Sequence, residues 1–119
     1  MKDIGLAPHE LGLIQEVFRR FPAISEVVLY GSRAKGTYRP ESDVDLVLVG
    51  VDDEIQAEAV ADELEELPLP YRFDVKAFSC IKYHPLRDHI ECIGVSLYRR
   101  DLSGHASDQV ITANLKELG

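Results

Sequence analysis

Two aspartates separated by a single residue, Asp43 and Asp45, open an apolar run that continues to Val49. On an extended strand alternate side chains leave the same face, so both carboxylates emerge on one side with Cα atoms roughly 6 to 7 Å apart. A spacer of ten residues separates them from Gly31-Ser32, which closes another β-branched and aromatic run, Val27-Val28-Leu29-Tyr30. The chain therefore reads as two strands, the first ending in a Gly-Ser turn and the second starting on a pair of acids.

These residue types suit phosphoryl chemistry. Two-metal phosphoryl transfer uses ions about 3.5 to 4 Å apart, and Mg²⁺ bonds oxygen at about 2.0 to 2.1 Å, so Asp43 and Asp45 on one strand face can bridge two such ions. A third acid on a neighbouring strand, about 4.8 Å away, can complete the shell and help deprotonate an attacking hydroxyl. Asp74 is the candidate, a charge inside the otherwise apolar stretch Phe73 to Val75. Gly31 permits close backbone approach to a ligand, and Ser32 with the amides after it can donate to phosphate oxygens. Arg33 and Lys35 add positive charge for a triphosphate or for the pyrophosphate leaving it. The loop is not a Walker A sequence, since no Gly-Lys-Ser/Thr closes it.

The remainder of the chain predicts a small α/β domain, a mixed β-sheet flanked by helices. A first amphipathic helix spans His9 to Phe21, with Leu11, Ile14, Phe18 and Phe21 at helical spacing. Strands follow at 27–30 and 43–49, and the link between them does not require parallel pairing. A second helix is capped by Asp52 or Asp53 and turns Ile55, Ala59, Val60, Leu64 and Leu67 to a core. A third strand covers Tyr71 to Phe78, a helix covers Pro85 to Cys92, and Val95 to Tyr98 adds a short strand. The domain is expected to occupy 1–100, with 101–119 a tail: a loop from Asp101 to Ser107, then a weak helix or mobile segment from Asp108 to Leu118.

Charge and cysteine content narrow the function classes. The net charge is −8, and eight acids between Asp52 and Glu66, with no base among them, account for all of it, since the other 13 acids match the 13 Lys and Arg residues. Broad binding to a nucleic acid backbone is not expected of such a chain. The acidic segment reads as a solvated helix face or as a docking surface for a basic partner. Cys80 and Cys92 are too few for a disulfide framework and are expected as reduced, buried thiols. No apolar stretch approaches a membrane span, and the N-terminus lacks signal-peptide character, so the expected location is the cytoplasm.

Gly31-Ser32, Asp43-Val44-Asp45 and Asp74 together resemble the nucleotidyltransferase superfamily related to DNA polymerase β. Within it the chain is similar, from about Leu11 to Tyr98, to the minimal nucleotidyltransferases (MNT) of prokaryotes, encoded beside small helical HEPN proteins. The resemblance implies a single-domain nucleotidyltransferase fold that takes two Mg²⁺ ions and a nucleoside triphosphate, usually ATP, and moves the nucleoside monophosphate to a hydroxyl. In characterised antitoxins of this kind the acceptor is a tyrosine of the HEPN toxin. By motif position Asp43, Asp45 and Asp74 would be metal ligands, Asp74 also the base, and Gly31 and Ser32 triphosphate contacts. Lys35 stands where many relatives carry Arg, which leaves a point charge in place of a bidentate fork. Larger relatives hold the acceptor with a second helical domain, so here the acceptor surface is expected from another chain. Two other readings remain open: a catalytically silent module that neutralises a HEPN partner by contact, and a subunit acting on a small molecule such as an aminoglycoside.

Overall fold

A computed structural model of the chain describes residues 4–100 and the short strand at 106–107. Helix α1 (Pro8–Arg19) starts on Pro8, whose fixed φ suits the first turn and whose missing N–H would have no partner there. The Ala7 N–H donates to Glu10 Oε1 at 2.9 Å, which secures the entry, and Leu11, Ile14, Val17 and Phe18 form the buried stripe. Strand β1 (Glu26–Tyr30) runs straight into the short helix α2 (Gly31–Lys35). Next come β2 (Val44–Val49), α3 (Glu54–Glu65) and β3 (Phe73–Ala77), a strand-helix-strand unit. A 3-10 turn at Phe78–Cys80 leads to α4 (His84–Ile93), then to β4 (Val95–Arg100) and β5 (Ala106–Ser107).

The strands form one mixed sheet in the order β3-β2-β1-β4-β5. β2 and β3 are parallel, as the α3 crossover requires, while β1 is antiparallel to both β2 and β4. Between β1 and β2 the chain passes only through α2 and a loop, which reverses its direction instead of carrying it back over the sheet.

Alternation along β2 sorts the two faces. Val44, Leu46 and Leu48 are fully buried against Ile14, Phe18 and Leu64 in the main core, on the side of α1 and α3. Burying each such side chain contributes about 1.5 to 3 kcal/mol. Gln15, also buried, donates from Nε2 to the Leu97 carbonyl at 2.9 Å and ties α1 to β4. On the opposite face Val47 joins Val28, Tyr30, Ile81 and Ile90 in a smaller cluster. Asp45 shares that face of β2, so the smaller core sets the floor of the acidic end of the sheet.

Several details depart from the sequence reading. In α3 the buried stripe is Ala57, Val60 and Leu64, whereas Ile55 is 78% exposed and Ala59 lies on the solvent side. Asp53 is the N-cap, accepting from the Gln56 N–H at 2.8 Å, and residues 57, 60 and 64 keep one helical face while 55 falls on the other. β3 is shorter than 71–78 because Phe78 turns into the 3-10 segment. Cys92 is exposed and Cys80 half-buried, not both buried. Ala106 and Ser107, expected in a loop, pair with Arg100 and Arg99. The helix expected from Asp108 lies outside the described residues. Among the described residues no helix is long and apolar enough to cross a membrane.

Candidate active site

The register of three strands assembles the acids. Tyr30 on β1 lies opposite Asp45 on β2, and Asp45 lies opposite Asp74 on β3. Directly opposed residues share a face, so Tyr30, Asp45 and Asp74 form one row across the sheet, on the side of the smaller core. Asp43 sits one residue before β2, exposed, instead of opening the strand. Its charge still reaches Asp45: the Asp45 carboxyl is held above its ordinary range by burial, then by repulsion from Asp74, then from Asp43, against the opposing pull of Lys76 and Arg33.

Gly31 brings the turn against this row. Its φ of 77° lies in the left-handed region, and a Cβ there would collide with Asp45 Oδ2. Two constraints therefore converge on glycine, a backbone conformation and a close approach. Ser32 is half-buried in the first turn of α2, Lys35 is exposed at its end, and Gly36 closes the helix with φ 81°.

Arg33 has a different environment from the phosphate contact expected of it. It is 1% exposed, and its guanidinium donates to the carbonyls of Ser42 (from Nε at 3.2 Å and Nη2 at 3.1 Å), Ile4 (3.1 Å), Gly5 (3.3 Å) and Pro40 (3.3 Å). Five N–H donors are thus committed to backbone oxygens. The Tyr38 and Tyr71 rings stand over the guanidinium with centroids 5.0 and 4.9 Å from Cζ. Tyr71 in turn donates to Glu10 Oε1 at 2.8 Å, and the Ala7 N–H, then Tyr71, hold the Glu10 carboxyl below its ordinary range. Arg33 as placed is a structural pin joining the N-terminal segment, α2 and the loop that delivers Asp43.

Two further residues on this sheet face, one in the row and one beside it, are not among those the sequence singles out. Lys76, two residues after Asp74 on the same strand face, places Nζ 3.0 and 2.9 Å from the two Asp74 oxygens. Tyr30 is 6% exposed, and burial pushes its hydroxyl pKa up. The period-2 rule applied to Asp74 and the register of β1 on β2 would have found both. A shallow apolar groove of about 150 Å³, between Glu26 and Glu91 and lined by Val28, Val47, Phe78 and Ile90, lies on the same sheet face.

The donor set suits a hard divalent cation, since it offers carboxylate oxygens and no sulfur or imidazole. The repulsion of Asp45 by Asp74 and Asp43 is one that a divalent cation would offset. As they stand, no three His, Cys, Asp or Glu side chains among the described residues converge closely enough to hold a metal, and Asp74 is engaged by Lys76.

A mixed sheet with two helices behind it, a Gly-Ser turn closing β1 and acids heading β2 and facing them from β3 define a nucleotidyltransferase-type fold. Residues 13–103 match the family model described as "Polymerase beta, Nucleotidyltransferase", and the chain belongs to that family. Among solved structures it is similar to a toxin-antitoxin assembly with AMP-PNP, at 20% identity and TM-score 0.64, covering 91% of this chain and 85% of that one. A chain of the MntA-HepT toxin-antitoxin structure matches at 20% identity and TM-score 0.57, covering 75% and 69%. The tri-AMPylated Shewanella oneidensis HEPN toxin in complex with MNT antitoxin matches at 18% identity and TM-score 0.59, covering 78% and 73%. At these identities the likeness is one of fold. No curated protein sequence matches the chain.

Proposed function

We propose that this chain is a Mg²⁺-dependent nucleotidyltransferase that moves a nucleoside monophosphate, AMP from ATP, to a hydroxyl on a HEPN-type partner protein, acting as its antitoxin. The observation that carries the reading is the in-register opposition of Asp45 and Asp74, with the charge of Asp43 beside them and Gly31 in contact. Resemblance in fold to MNT antitoxins solved with HEPN toxins, one of them tri-AMPylated, supports the partner and the transferred group.

Asp43, Asp45 and Asp74 would hold the divalent ions. Bound there, such ions supply Lewis-acid polarisation of the phosphates and neutralise charge on the departing pyrophosphate. Gly31 lets the triphosphate approach the backbone at the start of α2, where Ser32 donates to phosphate oxygen and exposed Lys35 adds a point charge. The Asp74 carboxylate accepts the proton of the acceptor hydroxyl. The acceptor oxygen then bonds to the α-phosphorus as the bond from that phosphorus to the bridging β-phosphate oxygen breaks, and pyrophosphate leaves.

Incubation with Mg²⁺, ATP labelled at the α-phosphate and the HEPN protein should label the partner, and Asp45→Asn should abolish labelling. Absence of labelling, combined with protection of cells by Asp43→Asn/Asp45→Asn, would establish a contact-only binder instead.

A further inference from the structure

Three carboxylates share one end of the sheet, and two cations act on them. Arg33 is immobilised by five hydrogen bonds to carbonyls, so it cannot follow a change in the charge of the row. Lys76 differs. Its side chain is 42% exposed and sits on a flexible four-carbon stem, and its ammonium spans both oxygens of Asp74 at 3.0 and 2.9 Å. Its Cα lies opposite Val47, one row along the same face from the Asp45–Asp74 pair. An ammonium bridging a carboxylate in this way takes one lone pair on each oxygen and sets a positive charge where a divalent ion would sit. That arrangement accompanies the lack of convergence among the acids noted above.

We infer that Lys76 is a resident counter-cation of the acid row, which holds Asp74 while no metal is present and gives it up when a divalent ion binds. It is a positioning residue, acting through Asp74, and the inference rests on the metal-binding reading of the row proposed above. An exposed ion pair two residues apart on a strand adds little to stability, so the consequence belongs in metal affinity and not in folding. Two cations cannot share the same carboxylate oxygens without mutual repulsion. Metal entry therefore competes with Lys76, which raises the ion concentration needed to fill the site.

The test is Mn²⁺ binding to the full chain without nucleotide, followed by electron paramagnetic resonance, for wild type, Lys76→Met and Lys76→Arg. Removing the competing charge should tighten Mn²⁺ binding about tenfold in Lys76→Met, while Lys76→Arg, which keeps the charge, stays near wild type. Mg²⁺ added to wild-type protein labelled at lysine Nζ should shift the Lys76 ammonium resonance, and Asp45→Asn should weaken that response. Binding in wild type with unchanged or weaker affinity in Lys76→Met overturns this inference alone. No Mn²⁺ binding in wild type and variant alike overturns the metal reading beneath it as well.

Discussion

Gly31 and Asp45 are in contact across the β1–β2 pair, and the space for a Cβ at Gly31 is already filled by Asp45 Oδ2. Alanine at this position would have to hold φ near 77° and push the carboxylate aside. Gly31→Ala should therefore lose about 1 to 3 kcal/mol of stability, read by urea unfolding. It should also lower transfer to the partner by about 100-fold or more, because a displacement near 1 Å in a positioning element has that effect. A variant with wild-type activity would mean that the Gly31 approach is dispensable.

Burial and two neighbouring acids raise the Asp45 carboxyl above its ordinary value of 3.8. Between 3.8 and that raised value the native state binds more protons than the unfolded chain, so this group's effect on stability becomes less favourable as pH rises through the window. Ionised Asp45 thus destabilises the metal-free fold at neutral pH. Asp45→Asn should melt at a higher temperature than wild type in EDTA at pH 7, and the difference should close below pH 3.8, while transfer is lost. A melting temperature at pH 7 equal to or below wild type would contradict this account.

Most of the fold was legible because local rules and tertiary packing agree. Pro8 and the 11-14-18 spacing marked α1, and β-branched runs marked β1 and β2. Where a face had to be chosen, the sequence was less decisive: α3 contains enough apolar residues for two stripes, and tertiary packing in the main core selects Ala57, Val60 and Leu64 over Ile55. At the candidate site, spacing was enough to group Asp43, Asp45 and Gly31. Tyr30 and Lys76 depended on register across three strands, and register follows from long-range pairing that no local spacing encodes. Arg33 reads in the sequence as a charge beside a phosphate turn, whereas the structure buries it. Its burial depends on Ile4, Gly5 and Tyr71, far away along the chain.

Tyr98 presents a different case. It packs against Phe18 with ring centroids 5.7 Å apart, and its buried hydroxyl has no hydrogen-bond partner among the described residues. An oxygen desolvated without a partner costs about 1 to 3 kcal/mol. Tyr98→Phe keeps the ring and removes that oxygen, so stability in urea should be unchanged or raised. A loss above about 1 kcal/mol would show that the hydroxyl is satisfied in solution, for instance by an ordered water.

Arg33 connects α2 to the Asp43 loop through two carbonyls: Pro40 O accepts from Nη2, Ser42 O accepts from both Nε and Nη2, and Asp43 is the next residue. Arg33→Met would leave the Ile4, Gly5, Pro40 and Ser42 carbonyls without their donor, and hydrogen bonds from a charged group are each worth about 1.5 to 3 kcal/mol, so a loss above about 3 kcal/mol is expected. Arg33→Lys separates charge from geometry. Lysine keeps the charge but has three donors on a single nitrogen and no plane to set against the Tyr38 and Tyr71 rings, so it should recover only a minor part of the stability. Because the loop before Asp43 is released in both variants, both should also lose Mn²⁺ affinity. Full recovery of stability and metal binding in Arg33→Lys would show that charge, and not the planar fork, holds the loop.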